Sequence, residues 1–253
     1  MGEPEKGGVC VSDYFIYGGV DSRTFGAYVY DVSSFNAPVQ EYEPIPVPGR
    51  NGDLLMKQNR FSNISHIYSI VIPSDFETNY ERLRNYLMSK TGYNRLEDSL
   101  HPDEFYQAYL STEVAPIISR DRDMGKLQIE FMRKPQRFLK SGEQKITITE
   151  SGTNFTNPTK YAAEPLLDIS GTVTVKGSLW VSGQTIYISR ITDNLSIDFA
   201  LQEAYKDNLA TSWNQYVEPV LMKYLPLESG NNFVGWNMSG ITQVEVTPRW
   251  WTL

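Results

Sequence analysis

The chain has little of the side-chain chemistry on which most enzymes depend. Its 253 residues include one cysteine, Cys10, and two histidines, His66 and His101. A single cysteine excludes an intrachain disulfide, and two histidines far apart in sequence argue against a zinc site. The sequence also lacks a Gly-x-Ser-x-Gly motif and a phosphate-binding glycine loop. We therefore predict no enzymatic activity, no catalytic residues, no bound metal and no cofactor.

Long apolar runs and an excess of basic charge are also missing. No stretch of about 18 apolar residues is present to form a transmembrane helix, and the polar residues 1–8 lack the apolar core of a secretory signal. The formal net charge is -7, the opposite of the basic balance typical of nucleic-acid-binding proteins. We expect neither membrane insertion nor sequence-specific binding of nucleic acid.

Aromatic residues, by contrast, are abundant. They make up 13% of a chain that is 40% hydrophobic, a composition that favours β structure with a substantial core. The first part of the sequence mixes strands with one helix, whereas only short alternating strands follow residue 140. The sequence predicts a mainly β protein with one domain over 1–140 and a β-sandwich over 141–253. Two Ser-Gly pairs predict a protease-sensitive segment between Lys140 and Asn157.

One amphipathic helix is predicted over Ser74–Lys90. Ser74 and Glu77 have the spacing of a capping box, in which each side chain satisfies the free amide of the other. Gly92 provides the stop signal. Four apolar residues share one helical face: Phe76, Tyr80, Leu83 and Leu87.

Before this helix, residues 42–72 have the features of a projecting hairpin arm. Prolines at 44, 46 and 48 confine the first half to a sheet edge or an extended arm, because proline cannot donate to a ladder. Asn51-Gly52 favours a tight hairpin turn. Leu54, Leu55 and Met56 are expected either to bury against a neighbouring molecule or to pack on their own domain.

Three further groups of side chains carry alternative interpretations. Glu97-Asp98 and Asp103-Glu104 supply the paired carboxylates of a glycosidase, or form turns and caps between helix and strand. The basic residues Arg133, Lys134 and Arg137 form either an inter-domain or partner surface or a solvated strand end.

The third group contains the tryptophans near the carboxyl end. Trp236, Trp250 and Trp251 form either a sugar-stacking platform or part of the sandwich core. Val244, Val246 and Trp250 share strand parity, so we place these three residues in the core.

Several short runs, taken together and in order, resemble the distal tail (Dit) family of siphovirus-type bacteriophages. The runs are Pro48–Leu54, Arg95–Asp98, His101–Phe105, Phe131–Phe138, Glu164–Ile169 and Thr247–Leu253. The resemblance implies an N-terminal belt domain, built of strands with one helix and a hairpin arm, and a C-terminal galectin-like β-sandwich. It places the arm turn at Gly49–Leu54 and the passage between domains at Lys134–Lys140. The ring-interface candidates on the arm are Arg50, Asn51, Asp53, Leu54 and Leu55.

The resemblance also implies a structural role in the virion. Belt domains of this family close into a homohexameric ring at the distal end of the tail, joining the tail tube to the baseplate or tail-tip adhesion apparatus and leaving a channel for DNA. The implied partners are other copies of the chain, the tail tube protein above, and a hub or tape-measure-linked protein below. Many members also carry receptor-binding proteins. Synthesis is expected in the cytoplasm of a bacterial host. Two alternatives are a carbohydrate-binding adhesion module of the tail tip and a tail-tip hydrolase.

Overall fold

The computed structural model describes residues 13–32, 36–112, 114, 116–118, 123–218 and 227–253, and Cys10 lies outside this part of the chain. The chain forms two compact units, an N-terminal unit that extends to Arg137 and includes Leu253, and a C-terminal unit of residues 138–252. Antiparallel strands dominate, and the described residues contain one α-helix. The predicted fold class, mainly β with one prominent helix, is confirmed. None of the described helices is long and apolar enough to cross a membrane.

The N-terminal unit is built around an antiparallel sheet. The strand order is β2-β1-β7-β8-β10-β6-β3, with β9 paired to β10, and an isolated bridge links Asp13, just before β1, to Val29 of β3. The strands are β1 (Phe15–Tyr17), β2 (Val20–Asp21), β3 (Tyr28–Val32), β4 (Gln40–Ile45), β5 (Leu54–Phe61), β6 (Ile64–Ile72), β7 (Asn94–Asp98), β8 (Glu104–Leu110), β9 (Pro116–Ile118) and β10 (Gly125–Arg133).

The centre of this sheet follows from the alternating pattern of β6 and β10. The two strands pair along their whole length, from Gly125 opposite Ile72 to Arg133 opposite Ile64. Every second side chain of each strand points into the core, as the two-residue period of a strand requires. The inward-facing buried positions are Ile64, His66, Tyr68, Ile70 and Ile72 on β6, and Gly125, Leu127, Ile129, Phe131 and Arg133 on β10, while Ser69 on the other face of β6 is also buried.

Helix α1 spans Phe76–Met88 and buries Phe76, Leu83 and Leu87 against this core. The predicted apolar stripe is therefore observed, whereas the capping box is not. Asp75 is the N-cap, and it has a left-handed backbone with φ of 48° and no side-chain capping bond. The amide of Phe76 instead donates to the carbonyl oxygen of Asp123 at 3.1 Å. A contact distant in sequence thus replaces the local cap.

The C-terminal unit is a sandwich of two five-stranded antiparallel sheets. Their orders are β12-β21-β14-β17-β18 and β13-β20-β15-β16-β19, and β11 pairs with β22. The strands are β11 (Arg137–Leu139), β12 (Ile146–Ile148), β13 (Thr153–Asn157), β14 (Leu166–Val173), β15 (Gly177–Val181), β16 (Gln184–Ile188), β17 (Ile191–Asp198), β18 (Glu203–Tyr205), β19 (Val217–Glu218), β20 (Gly230–Trp236), β21 (Ile241–Thr247) and β22 (Trp251–Thr252). Inward-facing aliphatic side chains of both sheets form one core.

The segment between Lys140 and Asn157 is ordered, contrary to the protease-sensitive link predicted there. A 3-10 helix spans Lys140–Glu143, and β12 and β13 then join one sheet each. The carbonyl oxygen of Gly142 accepts from the amide of Arg249 at 2.8 Å. A Cβ on Gly142 would lie 2.2 Å from the backbone nitrogen of Trp250, so only glycine permits this approach.

Candidate assembly surface

The hairpin arm is a separate two-stranded sheet made of β4 and β5. It runs from Gln40 to Phe61, so the predicted range of 42–72 is wrong at its far end, where β6 belongs to the buried sheet. The connection is a loop over residues 46–53 rather than a two-residue turn. Gly49 and Gly52 have positive φ values of 79° and 81°, whereas Asn51 does not, and a type I′ turn needs positive φ at both central residues.

Large apolar side chains are exposed on both faces of the arm. The register pairs Pro44 with Leu55 on one face and Ile45 with Leu54 on the other. Leu54, Leu55 and Met56 are 53%, 60% and 51% exposed. They therefore do not pack on their own unit, and they lie beside the tip loop. A two-stranded hairpin is marginal by itself in water, and exposed apolar clusters mark contact surfaces.

The polar residues of the arm divide into paired and unpaired groups. Arg60 forms an ion pair with Glu41 at 3.0 Å, and the Gln58 amide donates to Glu43 at 2.8 Å. The predicted interface residues Arg50, Asn51 and Asp53 are exposed in the tip loop. The tip therefore presents a mixed apolar and charged surface to solvent.

Of the basic residues Arg133, Lys134 and Arg137, which were predicted as an inter-domain or partner surface, only Arg133 is buried. Arg133 is only 1% exposed, because its parity on β10 turns it inward, where its guanidinium lies 4.6 Å from the centre of the Tyr106 ring. Arg137 makes two hydrogen bonds of 2.8 Å to Glu104. The Lys134 ammonium lies 5.0 Å from the Tyr93 ring.

Three of the four carboxylates proposed for hydrolysis are engaged in structural contacts, and the fourth, Asp103, is exposed. Asp98 is buried and accepts from the Tyr68 hydroxyl at 2.9 Å and from the amides of Leu100 and His101 at 3.0 and 2.8 Å. Glu97 pairs with Arg95 and Glu104 with Arg137. Within the described residues, no cluster of three acidic, histidine or cysteine side chains is arranged to hold a metal ion. This region therefore has the organisation of a buried polar network.

His66 is fully buried beside this network, with its Nε2 3.9 Å from the nearer Asp98 carboxylate oxygen. Neither ring nitrogen has a hydrogen-bond partner, and the ring packs 4.7 Å from Tyr68 and 5.5 Å from Tyr106, centre to centre. Burial, together with the charge of Arg133, lowers the pKa of His66 to about 4, and Asp98 opposes the shift. The neutral ring is therefore the form that the fold accommodates.

Acidification should loosen the N-terminal unit through His66. The pKa of His66 is lower in the folded than in the unfolded chain. The stability that the neutral ring contributes is therefore complete above pH 6.5 and is lost as the pH falls towards 4. We expect the free energy of unfolding to fall by about 2 kcal/mol between pH 7 and pH 5. Hydrogen exchange of the β6 amides, corrected for intrinsic rates, measures this loss. His66→Phe should flatten the dependence, and an unchanged slope in that variant would contradict the assignment.

The predicted C-terminal core residues lie inside the sandwich. Val244 and Val246 are fully buried, and Trp250 is 4% exposed. Trp251 stacks on Tyr161 with 4.6 Å between ring centres, and its indole nitrogen donates to the carbonyl oxygen of Ala162 at 2.9 Å. Trp236 is partly buried against the same core. A sugar platform needs free aromatic faces, and the tryptophans proposed for it are engaged within the unit.

Sequence reasoning missed an ion pair of the C-terminal unit whose carboxylate is buried. Arg249 makes two hydrogen bonds to buried Asp198, of 2.8 and 2.7 Å, and the same carboxylate accepts from the amides of Ala200 and Leu201. Burial raises the pKa of Asp198, but the hydrogen bonds and charge of Arg249, together with the hydrogen bonds from the two amides, outweigh it, so the pKa lies below its ordinary value. The two residues are far apart in sequence, and no local pattern connects them.

Comparison with known proteins identifies the architecture. No known family profile and no curated protein matches the sequence. This chain is similar to the solved structure of the phage SPP1 Dit protein, a paradigm of the hub adsorption apparatus in phages that infect Gram-positive bacteria. The match covers 95% of this chain and 99% of the SPP1 chain, with a TM-score of 0.68 and 13% sequence identity. The chain has the Dit fold.

Two further structures with this fold come from the phage p2 baseplate in its activated conformation. The strontium form gives a TM-score of 0.54 at 9% identity, and the calcium form gives 0.53 at 10%. Each comparison covers 92% of this chain and 96% of the other. The Dit fold therefore accounts for both units of the chain.

Proposed function

We propose that this chain is a structural component of a phage tail tip and acts as the ring that joins the tail tube to the baseplate or adhesion apparatus. In this proposal the N-terminal unit is a belt domain, six copies close into a homohexamer, and the central hole is a channel for DNA. The chain is then located at the distal end of a siphovirus-type tail. It acts through geometry and not through catalysis.

The observation that carries the proposal is the arm on a Dit-like fold. Rings of more than two copies use heterologous interfaces, in which one patch meets a different patch on the next copy. The arm offers such a patch, because Leu54, Leu55 and Met56 are exposed and extend along a hairpin separate from the main sheet. Pro44 within β4 limits further strand addition at that edge, which favours a closed assembly over open-ended sheet growth.

The remaining assignments follow from the same proposal. The C-terminal unit is assigned as the galectin-like sandwich that carries adhesion or receptor-binding components. The tail tube protein is the partner above the ring, and a hub or tape-measure-linked protein is the partner below it. Synthesis takes place in the cytoplasm of the bacterial host.

Assembly of the purified full-length protein tests the role of the arm. Negative-stain microscopy over rising protein concentration should show six-fold rings for the wild type. The triple variant Leu54→Ser, Leu55→Ser, Met56→Ser should form far fewer rings while keeping its circular dichroism spectrum. Val175→Ser, at a residue 77% exposed in the C-terminal unit, is the matched control and should assemble normally. Rings that form equally well in the triple variant would contradict the proposal.

A further inference from the structure

A groove on the N-terminal unit is suited to receive the arm of another copy. It lies between the exposed side of α1 and the chain that follows β8, has a volume of about 530 Å³, and is lined by Tyr80, Arg84, Met88, Leu110, Ser111, Thr112 and Val114. A heterologous ring interface needs two different surfaces, and the arm supplies only one. The groove is a candidate for the second.

The walls of the groove are apolar and partly fixed. Met88 is 67% exposed although it lies on the helix that packs against the core. The Tyr80 hydroxyl donates to the carbonyl oxygen of Val114 at 2.6 Å, which ties the helix to the opposite wall. Arg84 is exposed at the rim, with its guanidinium 5.8 Å from the Tyr80 ring. The groove thus combines an apolar floor with one positive charge among its described lining residues.

We propose that this groove binds the arm tip of a neighbouring copy, with Leu55 against Met88 and Asp53 beside Arg84. The inference rests on the proposed ring. Its second support is charge complementarity, because Asp53 adjoins the exposed leucines of the arm. In the described part of the chain, neither Asp53 nor Arg84 forms an ion pair. Their opposite charges are therefore available for a contact between copies.

A second cavity on the same unit is less compatible with the arm. It has a volume of about 380 Å³, lies beside β3, and is lined in part by Asp13, Asp31, Tyr30 and Leu100. Its two carboxylates would repel Asp53, whereas Arg84 attracts it. For a contact made through Asp53, the sign of the charge therefore favours the groove beside α1, since like charges brought together oppose association.

Disulfide trapping between two single-cysteine proteins tests the contact. In a Cys10→Ser background, protein carrying Leu55→Cys is mixed with protein carrying Met88→Cys, at a concentration where the wild type forms rings, and is then oxidised. We expect a covalent dimer in this mixture and several-fold less in a mixture of Leu55→Cys with Val175→Cys. Because the two cysteines are on different molecules, the product reports a head-to-tail contact.

Charge exchange separates this inference from the proposed function. Asp53→Arg or Arg84→Asp alone should reduce ring formation several-fold, and the double variant should restore it. Wild-type rings without the disulfide product, or without recovery in the double variant, would overturn the groove assignment and leave the ring intact. Absence of wild-type rings, both in solution and in purified tails, would overturn the proposed function and this inference together.

Discussion

Replacing Trp250 with alanine should lower the free energy of unfolding of the C-terminal unit by about 3–5 kcal/mol, the cost of emptying an aromatic core site. The side chain is 4% exposed and belongs to the same cluster as Val244 and Val246. Its backbone is also fixed, because the Trp250 carbonyl oxygen accepts from the amide of Leu139 at 2.9 Å. Surrounding atoms therefore cannot collapse freely into the space left by the indole ring.

The distribution of tryptophan makes this measurement selective. All five tryptophans lie between residues 180 and 251, so fluorescence during urea unfolding reports on the C-terminal unit. Trp251→Ala is the neighbouring control and should lower the free energy of unfolding by less, because that ring is only partly buried and stacks on Tyr161. An unchanged unfolding midpoint for Trp250→Ala would show that the ring does not support the core.

Replacing Arg249 with methionine should destabilise the same unit by about 3 kcal/mol. Methionine keeps most of the apolar length of the side chain but leaves the Asp198 carboxylate without its cation. The Asp198 side chain is 4% exposed, so water cannot replace the lost partner. Removing one member of a buried ion pair lowers stability by more than the intact pair contributes to it, because an uncompensated charge remains.

A solvent-exposed ion pair supplies the control for this effect. Lys145 bridges Asp168 and Glu245 at 3.1 and 2.7 Å but is 49% exposed, so Lys145→Met should cost at most about 1 kcal/mol. If Arg249→Met and Lys145→Met lost the same free energy of unfolding, burial of the ion pair could not be the cause of the larger effect.

The pH dependence adds a second check on the Arg249–Asp198 pair. Because Arg249 holds the pKa of Asp198 below its ordinary value, the stabilisation is present above about pH 3.9 and is lost as the pH falls through the folded pKa. Urea unfolding followed by tryptophan fluorescence at several acidic pH values measures this loss. Arg249→Met should remove most of this acid sensitivity, and a variant as acid-sensitive as the wild type would contradict the assignment.

Local periodicity was sufficient to predict most of the fold. The 3.6-residue spacing of Phe76, Leu83 and Leu87 marked α1, and two-residue alternation marked the strands of both units. The same alternation also indicates which polar side chains of β6 and β10 point into the core. His66 and Arg133 continue the inward-facing series of β6 and β10, so strand parity alone would have placed both in the core.

Features that depend on distant parts of the chain could not be predicted in this way. The start of α1 is set by Asp123, which overrides the local capping signal at Ser74. Trp250 is buried although the left-handed Arg249, with φ of 57°, interrupts the strand parity from which its burial was predicted. The range of the arm was misjudged because strand-forming residues continue into β6, and only the sheet pairing separates the two.

The structure separates the residues that stabilise the chain from those that we assign to assembly. Trp250, Arg249 and Asp198 are buried or paired within the C-terminal unit, whereas Asp53, Leu55 and other arm residues are exposed and contribute little to either core. We therefore expect arm variants to lose assembly without losing stability. Core variants should lose stability before assembly is affected.

Electron cryomicroscopy of complete phage tails that contain this protein tests the central claim most directly. The account predicts a closed six-fold ring of N-terminal units at the junction between the tail tube and the tip, with each arm on the adjacent copy. Density for the protein elsewhere in the virion, or in an arrangement that does not close into a ring, would contradict it.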